Sequence, residues 1–320
     1  MIVSILVPCY NEQEVLEETI YRLLAVAREI DLDYEIIFID DGSTDATLSI
    51  IEHSCATNKK IKCISLSRNF GHQPAISAGI NHASGDVAII IDADLQDPPE
   101  LIPDMIKMWQ LENCNVVYAV RRRRDKESAF KKLTARWYYR ILSNLSDVSI
   151  PKDTGDFRLI DRKVIDTFLK LPEKQKYIRG LIAWVGFIQK PIFYERKERF
   201  AGITKFSVNN MLRFARVGLV YFTKKPLRLA TNLGLFCFIV SIGLVVYVLI
   251  SKFYFPETTV RGWSSIIIAI IFFGGVQLLS IGLMGEYIAS IFDEIKSRPE
   301  YIMDRKINFD HEKLGAKDQP

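Results

Sequence analysis

The stretch AIIIDADLQDPPE, Ala88 to Glu100, sets four carboxylates behind an apolar run: Asp92, Asp94, Asp97 and Glu100 fall within nine residues. Like charges this close repel, so the stretch needs a compensating partner. An Asp-x-Asp at the end of a buried strand suits a hard divalent cation. Carboxylate oxygens are the ligands magnesium and manganese prefer, and such ions often bridge to substrate phosphates. D-x-D alone recurs by chance in loops; its place directly after AIII gives it weight. A second acidic stretch, DDGSTD from Asp40 to Asp45, suggests a different use. Asp40 or Asp41 can accept hydrogen bonds from a base or ribose, while Gly42 lets the backbone turn sharply. The chain has no G-x-x-x-x-G-K-[ST] and no G-x-G-x-x-G, which excludes a P-loop and a dinucleotide fingerprint. Asp97 and Glu100, in DPPE, read as first-turn carboxylates of the next helix, favoured there by its dipole.

Groups so placed need a scaffold, and the first 120 residues supply one. IVSILVP, YEIIFID, KIKCISLS, DVAIIID and CNVVYAV read as buried strands. Between them, Glu12 to Arg28 carries Val15, Leu16, Ile20, Leu23 and Leu24 on one helical face. STDATLSIIEHS starts another helix, with Ser43, Thr44 or Asp45 as its cap, and a third runs near Gln73 to Ala83. Continuous apolar strands alternating with helices predict a mostly parallel α/β sheet covered on both faces. Ligands of such sheets bind beyond the carboxyl ends of the strands. The segments at those ends are PCYNE, DDGSTD, SRNFG, DADLQ and RRRRDK, so acidic, amide and basic groups converge on one rim.

The remainder of the chain has another character. Of the 320 residues 25% are charged, yet none lies between Arg228 and Lys252 or between Arg261 and Glu286. Each gap is long enough for a helix to cross a bilayer core of about 30 Å. Lys224, Lys225 and Arg228 precede the first gap, and Lys296, Arg298, Arg305 and Lys306 follow the second. That bias predicts two spans, with the long N-terminal part and the C-terminus both cytoplasmic. MIVSILVP is too short, and lacks the basic start, for a signal peptide. A net charge of +4 is too small to imply nucleic-acid binding. The five cysteines form no C-x-x-C pair and fit reduced cytoplasmic thiols; the four histidines are equally dispersed.

VPCYNE, IDDGSTD, SRNFGHQPAISAGI, GDVAIIIDADLQDPPE, DTGDFRLIDRKV and RFAGITKFS follow one another in an order that resembles family 2 glycosyltransferases. More narrowly, the chain is similar to the polyprenyl-phosphate glycosyltransferases, the group of dolichyl-phosphate mannose synthases and the bacterial GtrB type. The resemblance runs from about residue 2 to 215, and the two apolar gaps extend it along the GtrB-like branch. It implies a GT-A fold and inverting transfer of a sugar from a nucleotide-sugar to a lipid phosphate. By position, Pro8, Tyr10, Glu12 and Asp41 would hold the nucleoside, with Asp40 adjacent. Asp92, Ala93 and Asp94 would meet the donor, and Asp92, Asp94 and Gln96 would seat Mg2+ or Mn2+. Asp156, in DTGDFR, stands where many inverting relatives keep a general base. A lipid phosphate monoester already carries charge near neutral pH, so here Asp156 is a base or an orienting group. Arg121, Lys131, Arg199 and Lys205 are candidates for the diphosphate or the lipid phosphate. Arg122 to Arg124 fit attraction to anionic headgroups instead.

The expected order is a cytoplasmic GT-A domain at 1–204, an amphipathic juxtamembrane region at 205–228, spans at 229–251 and 262–285 around an external loop at 252–261, and a cytoplasmic tail at 286–320. Gly274, Gly275, Gly282 and Gly285 permit close packing within the hairpin or in a homo-oligomer. UDP-glucose and undecaprenyl phosphate are the expected substrates. GDP-mannose, and a non-enzymatic nucleotide-binding membrane anchor, are the alternatives. A processive polysaccharide synthase fits less well: Gln175 and Arg179 in QKYIRG lack the Q-x-x-R-W spacing.

Overall fold

The computed structural model describes residues 1–121, 154–173, 176–195, 225–254 and 262–309. Among these, 1–195 and 297–309 form one compact unit, and 225–254 with 262–296 form another.

In the first unit, β1 (Ile2–Cys9), β2 (Asp33–Asp40), β3 (Ile61–Leu66) and β4 (Val87–Ile90) are the apolar runs, buried nearly end to end. β5 (Val116–Arg121), β6 (Thr154–Asp161), β7 (Gln189–Tyr194) and β8 (Met303–Ile307) complete one eight-stranded sheet in the order β7-β5-β6-β4-β1-β2-β3-β8. Four of the seven strand pairings are parallel, which agrees with the mostly parallel α/β expectation. The departures are at the flanks. β6 enters antiparallel between β4 and β5, so the fourth and fifth strands of the chain are not neighbours. β8 pairs antiparallel with β3. Part of the segment expected as a cytoplasmic tail, Met303–Ile307, is therefore a strand of this sheet. Arg305 pairs with Glu52, and the Asn308 amide donates to the Cys55 and Ile61 carbonyls.

Period two in the strands assigns side chains to two faces. Val3, Ile5, Val7 and Cys9 join one core cluster with α1 (Leu16–Glu29), α2 (Thr47–Thr57) and α4 (Ile102–Glu112). Leu16, Ile20 and Leu23 of α1 recur at helical spacing and bury together. On the opposite face Leu6 and Ile39 meet α3 (His72–His82), and Val164, Ile165 and Phe168 of α5 (Arg162–Leu169) are buried. Each such aliphatic side chain contributes roughly 1.5–3 kcal/mol on full burial. Asp161 caps α5 by accepting from the Val164 N–H at 2.9 Å. All five cysteines are free and buried, consistent with reduced thiols.

The second unit contains α7 (Lys225–Tyr254) and α8 (Trp263–Ile295), which pack on each other; a short helix, α6 (Ile178–Trp184), belongs to the first unit. At 1.5 Å per residue they extend about 45 and 50 Å. Leu235, Phe236 and Ile239 of α7 and Ile270, Leu278 and Ile288 of α8 are exposed. Among the described residues one segment, Phe272–Ile295, is long and apolar enough to cross a membrane. The helices overrun the expected spans: α7 begins before 229, and α8 continues past 285. A Cβ at Gly274, Gly275, Gly282 or Gly285 would meet nothing within 4 Å among the described residues, so close hairpin packing does not require these glycines.

Candidate active site

Chain order places the site. From β1 the sheet grows to β2 and β3 on one side, then reverses to β4 on the other. The crevice beyond the carboxyl ends of β1 and β4 is thus the topological switch point, where ligands of open α/β sheets bind. Tyr10 to Gln13 leave β1 here, and Asp92 to Asp97 leave β4. Both exits use left-handed backbone at a non-glycine residue, Asn11 (φ 54°) and Leu95 (φ 57°). Such conformations persist where surrounding structure imposes them, and they cluster at functional sites.

Side-chain hydrogen bonds tie the β1 exit to the β2 exit. The Asn11 N–H donates to Ser43 Oγ, its own Oδ1 accepts from the Thr44 N–H, and the Glu12 N–H donates to Thr47 Oγ1. None of the three candidate caps holds the N-cap position of α2, which falls on Ala46 without a side-chain bond; Asp45, one residue earlier, accepts from the Thr47 N–H at 3.0 Å. Asp40 accepts from the Ser43 N–H and the Ser65 hydroxyl. Asp41 accepts from the Phe70 and Gly71 N–H groups at 2.7 and 2.9 Å, tying the β2 exit to the β3 exit. Burial raises the pKa of both acids from the ordinary aspartate value despite these bonds. Gly42, at φ +66°, lies so close to the Arg68 backbone that a Cβ would sit 2.4 Å from its carbonyl carbon. Pro8 is buried in β1, while Tyr10 and Glu12 are half-buried at the same exit.

The acidic stretch divides in the structure. Asp94 is buried, and its Oδ1 accepts from the Gln96 N–H at 3.1 Å. Asp92 Oδ1 is buried and has no hydrogen-bond partner, with His72 Nε2 3.5 Å away. Burial pushes the Asp92 carboxyl up to about 6; His72 opposes this, and Asp97, Asp156 and Asp94 add to it. A divalent cation would remove both defects, the orphaned oxygen and the crowded negative charge. Among the described residues no three acidic, His or Cys side chains converge as a metal cage. Asp92 and Asp94 could hold a cation here only with further ligands from outside the described side chains, such as phosphate and water.

Glu100 takes a bidentate contact from Arg22. Asp97 differs from its expected place. It precedes Pro98 and the short turn Pro99–Leu101, so it is not a first-turn carboxylate. It is 1% exposed and accepts from the Tyr194 hydroxyl, with Arg121 Nη2 3.8 Å away.

Asp156, on β6, is enclosed by cations. Arg179 Nε and Nη2 donate to its two oxygens at 3.1 and 3.0 Å, His72 Nε2 is 3.2 Å away and Gln73 Nε2 donates at 3.3 Å. Burial alone would raise its pKa, but Arg179 and His72 outweigh it and hold the carboxyl well below the usual range. For His72, burial opposes protonation, yet Asp92 and Asp156 lift the imidazole to about 9. At neutral pH the arrangement is a carboxylate between an imidazolium and a guanidinium, a poor proton acceptor and a good anchor for cations. Arg158 is buried alongside, its pKa lowered by burial to about 10, and donates to the Gly155 carbonyl.

His72, Gln73 and Arg179 were not expected here from sequence. His72 and Gln73 open α3 at the β3 exit, and Gln73 Oε1 also accepts the Ile178 N–H that begins α6. A titratable group at a strand-to-helix exit was the available signal for His72. Arg179 stood out in the sequence only for failing a spacing. Lys131, Arg199 and Lys205 lie outside the described residues, as do 205–224 of the juxtamembrane region. Cavities of about 470 and 350 Å3 lie away from this crevice; Met1, Asp86 and Arg162 line the first, Ser77, Glu173 and Tyr301 the second.

Residues 4–169 match the family Glycosyl transferase family 2, and residues 225–291 match the GtrB C-terminal hairpin. A similar protein, the uncharacterized glycosyltransferase YkcC of Bacillus subtilis (strain 168), is 45% identical over 311 residues, 97% of this chain and 96% of its own. The SfII prophage-derived bactoprenol glucosyl transferase of Shigella flexneri is 40% identical over 304 residues, 95% of this chain and 97% of its own. Among solved structures, the mannosyltransferase PcManGT of Pyrobaculum calidifontis in complex with GDP-Man and Mn2+ covers 92% of this chain and 88% of its own at 15% identity, with a TM-score of 0.48. That likeness is too distant to carry anything over.

Proposed function

Since the chain belongs to glycosyltransferase family 2, we propose that it transfers glucose from UDP-glucose to polyprenyl phosphate at the cytoplasmic face of the cell membrane, with inversion. The observation that carries this reading is the near-full-length identity to a bactoprenol glucosyl transferase, hairpin included. Asp92, with one buried oxygen lacking a hydrogen bond, and Asp94 beside it supply a seat for its chemistry. An oxygen of the lipid phosphate attacks the anomeric carbon, the bond from that carbon to the β-phosphate oxygen breaks, and UDP leaves with the bonding pair. Asp92, Asp94 and Gln96 would hold Mg2+ or Mn2+, which would stabilise charge on the departing diphosphate.

The remaining roles belong to the chain. Pro8, Tyr10 and Glu12, with Asp40 and Asp41 beside them, hold the nucleoside. Asp92 to Asp94, including Ala93, face the diphosphate end. Asp156 orients: a phosphate nucleophile needs charge compensation rather than deprotonation, and Asp156 fixes two cations in this crevice. Arg121, Lys131, Arg199 and Lys205 meet phosphate oxygens. The two-span topology has support in the sheet. β8 rejoins the catalytic sheet, so the chain leaves and returns on one side, which requires an even number of crossings between 195 and 297. Two spans, α7 and α8, satisfy this; both termini are then cytoplasmic, and the protein is free to form a homo-oligomer through the hairpin.

The test is a donor panel with purified full-length protein, undecaprenyl phosphate and Mg2+ or Mn2+, read as lipid-linked sugar. UDP-glucose should give the highest turnover. Preference for GDP-mannose would overturn the donor, and no lipid-linked sugar from any donor would overturn the reading.

A further inference from the structure

The Asp97, Tyr194 and Arg121 contacts join three distant segments into one device. Tyr194 lies opposite Arg121 in the β5–β7 register. Its hydroxyl donates to Asp97 and accepts from Arg121 Nε at 3.1 Å. Burial and the Asp97 charge raise the Tyr194 pKa, so the phenol stays a donor. Its ring packs edge-on against Phe157 with centroids 6.2 Å apart, and the residue is 5% exposed. Asp97 and Tyr194 are thus buried, while the Arg121 side chain is 31% exposed. Gly155 supplies a second, independent observation. A Cβ there would come within 2.8 Å of Arg121 Nη2, so the guanidinium lies against the backbone next to Asp156. Arg121 also interacts electrostatically with Asp92. A guanidinium held at Nε can present its terminal N–H groups to two oxygens of a phosphate.

We propose that Tyr194 and Asp97 are positioning residues that hold the Arg121 guanidinium over Gly155 for a phosphate group in the strand-end crevice. This rests on the proposed glycosyl transfer for the identity of that phosphate, either the donor diphosphate or the lipid phosphate. The tie explains why a carboxylate follows D-x-D-L-Q and why DTGDFR has a glycine beside its aspartate.

The test uses full-length protein with Tyr194→Phe, which keeps the ring and removes only the hydroxyl. Gly155→Ala crowds the mobile end of Arg121 with little demand on the backbone. Each should raise one Michaelis constant roughly 10-fold, the range typical when a ligand's supporting partner is lost. A rise for the nucleotide-sugar assigns the donor diphosphate, and a rise for polyprenyl phosphate assigns the lipid. In an Arg121→Ala background neither substitution should add a further effect. Unchanged constants for both substrates, or undiminished effects without Arg121, overturn the tie. If wild-type protein makes no lipid-linked sugar, the functional reading fails, and calorimetric titration with UDP plus Mg2+ and with pyrophosphate decides the tie. Arg121-dependent binding weakened by Tyr194→Phe supports it; binding indifferent to either residue, or absent, overturns it.

Discussion

Two acids near opposite ends of the parallel strands show opposite solutions to the same problem. Glu35, near the start of β2, is 4% exposed and accepts from the Ser4 hydroxyl, the Ser84 N–H at 2.7 Å and the Lys62 ammonium at 2.6 Å. Burial pushes its pKa up, but these donors outweigh it and the net shift is downward. Asp92, past the end of β4, has a buried oxygen with no hydrogen bond and a pKa raised to about 6. Buried polar groups are ordinarily satisfied, because an unmet one costs about 1–3 kcal/mol. Glu35 therefore holds β1, β2, β3 and the β4 entry together, whereas the buried oxygen of Asp92 is answered only by the His72 imidazole at 3.5 Å.

The contrast can be broken from either side. The largest effect should come from the site: Asp94→Ala or Asp92→Asn should lower sugar transfer on the order of 10³-fold, as loss of a transition-state charge stabiliser does. The melting temperature of metal-free Asp92→Asn should hold or rise, because the substitution relieves repulsion. Transfer within tenfold of wild type would remove the metal seat from Asp92 and Asp94. On the other side, Glu35→Ala should destabilise the fold by about 3 kcal/mol, since it strands Lys62, Ser4 and the Ser84 N–H. Denaturant unfolding measures this, and turnover per folded molecule should be unchanged at low temperature. A smaller effect, about tenfold on turnover, is expected for Asp156→Asn if it orients cations; a loss beyond 10³-fold would make it the general base instead.

The finest distinction is in pH, measured on metal-free protein. Glu35 has a folded pKa below its unfolded value. Its contribution is fully present above the unfolded value and is lost as pH falls through the folded one. Asp92 has the opposite sign: its folded pKa, about 6, exceeds the unfolded value near 3.9. Its folded form binds the extra proton, so it weakens the fold progressively as pH rises from about 4 to 6. Asp92→Asn, or added Mn2+, should flatten that slope by a few degrees of melting temperature. Equal slopes in wild type and variant would show that Asp92 carries no such deficit.

Much of this was readable along the chain, and the reasons are local. Asp92 and Asp94 were legible because an apolar run and a D-x-D are adjacent in sequence, and burial of strands shows in period two. The charge gaps around α7 and α8 were legible for the same reason. β6 was missed as a strand between β4 and β5, because its partner choice depends on Val87 meeting Asp161, 74 residues away. β8 was missed because a five-residue edge strand is weakly marked until β3 is there to pair with it.

The sequence by itself determined the first five strands, the helices between them and the apolar gaps of the hairpin, and which polar clusters sit at strand ends, since periodicity and composition record local burial. Only the tertiary structure decided which acids are answered. Asp97 became a tie through Tyr194, Asp156 became an anchor through His72 and Arg179, and Asp92 remained under-satisfied. A carboxylate's role depends on the charges and donors within a few ångströms and on its exclusion from water. Those neighbours come from remote parts of the chain, so spacing along the sequence does not carry them.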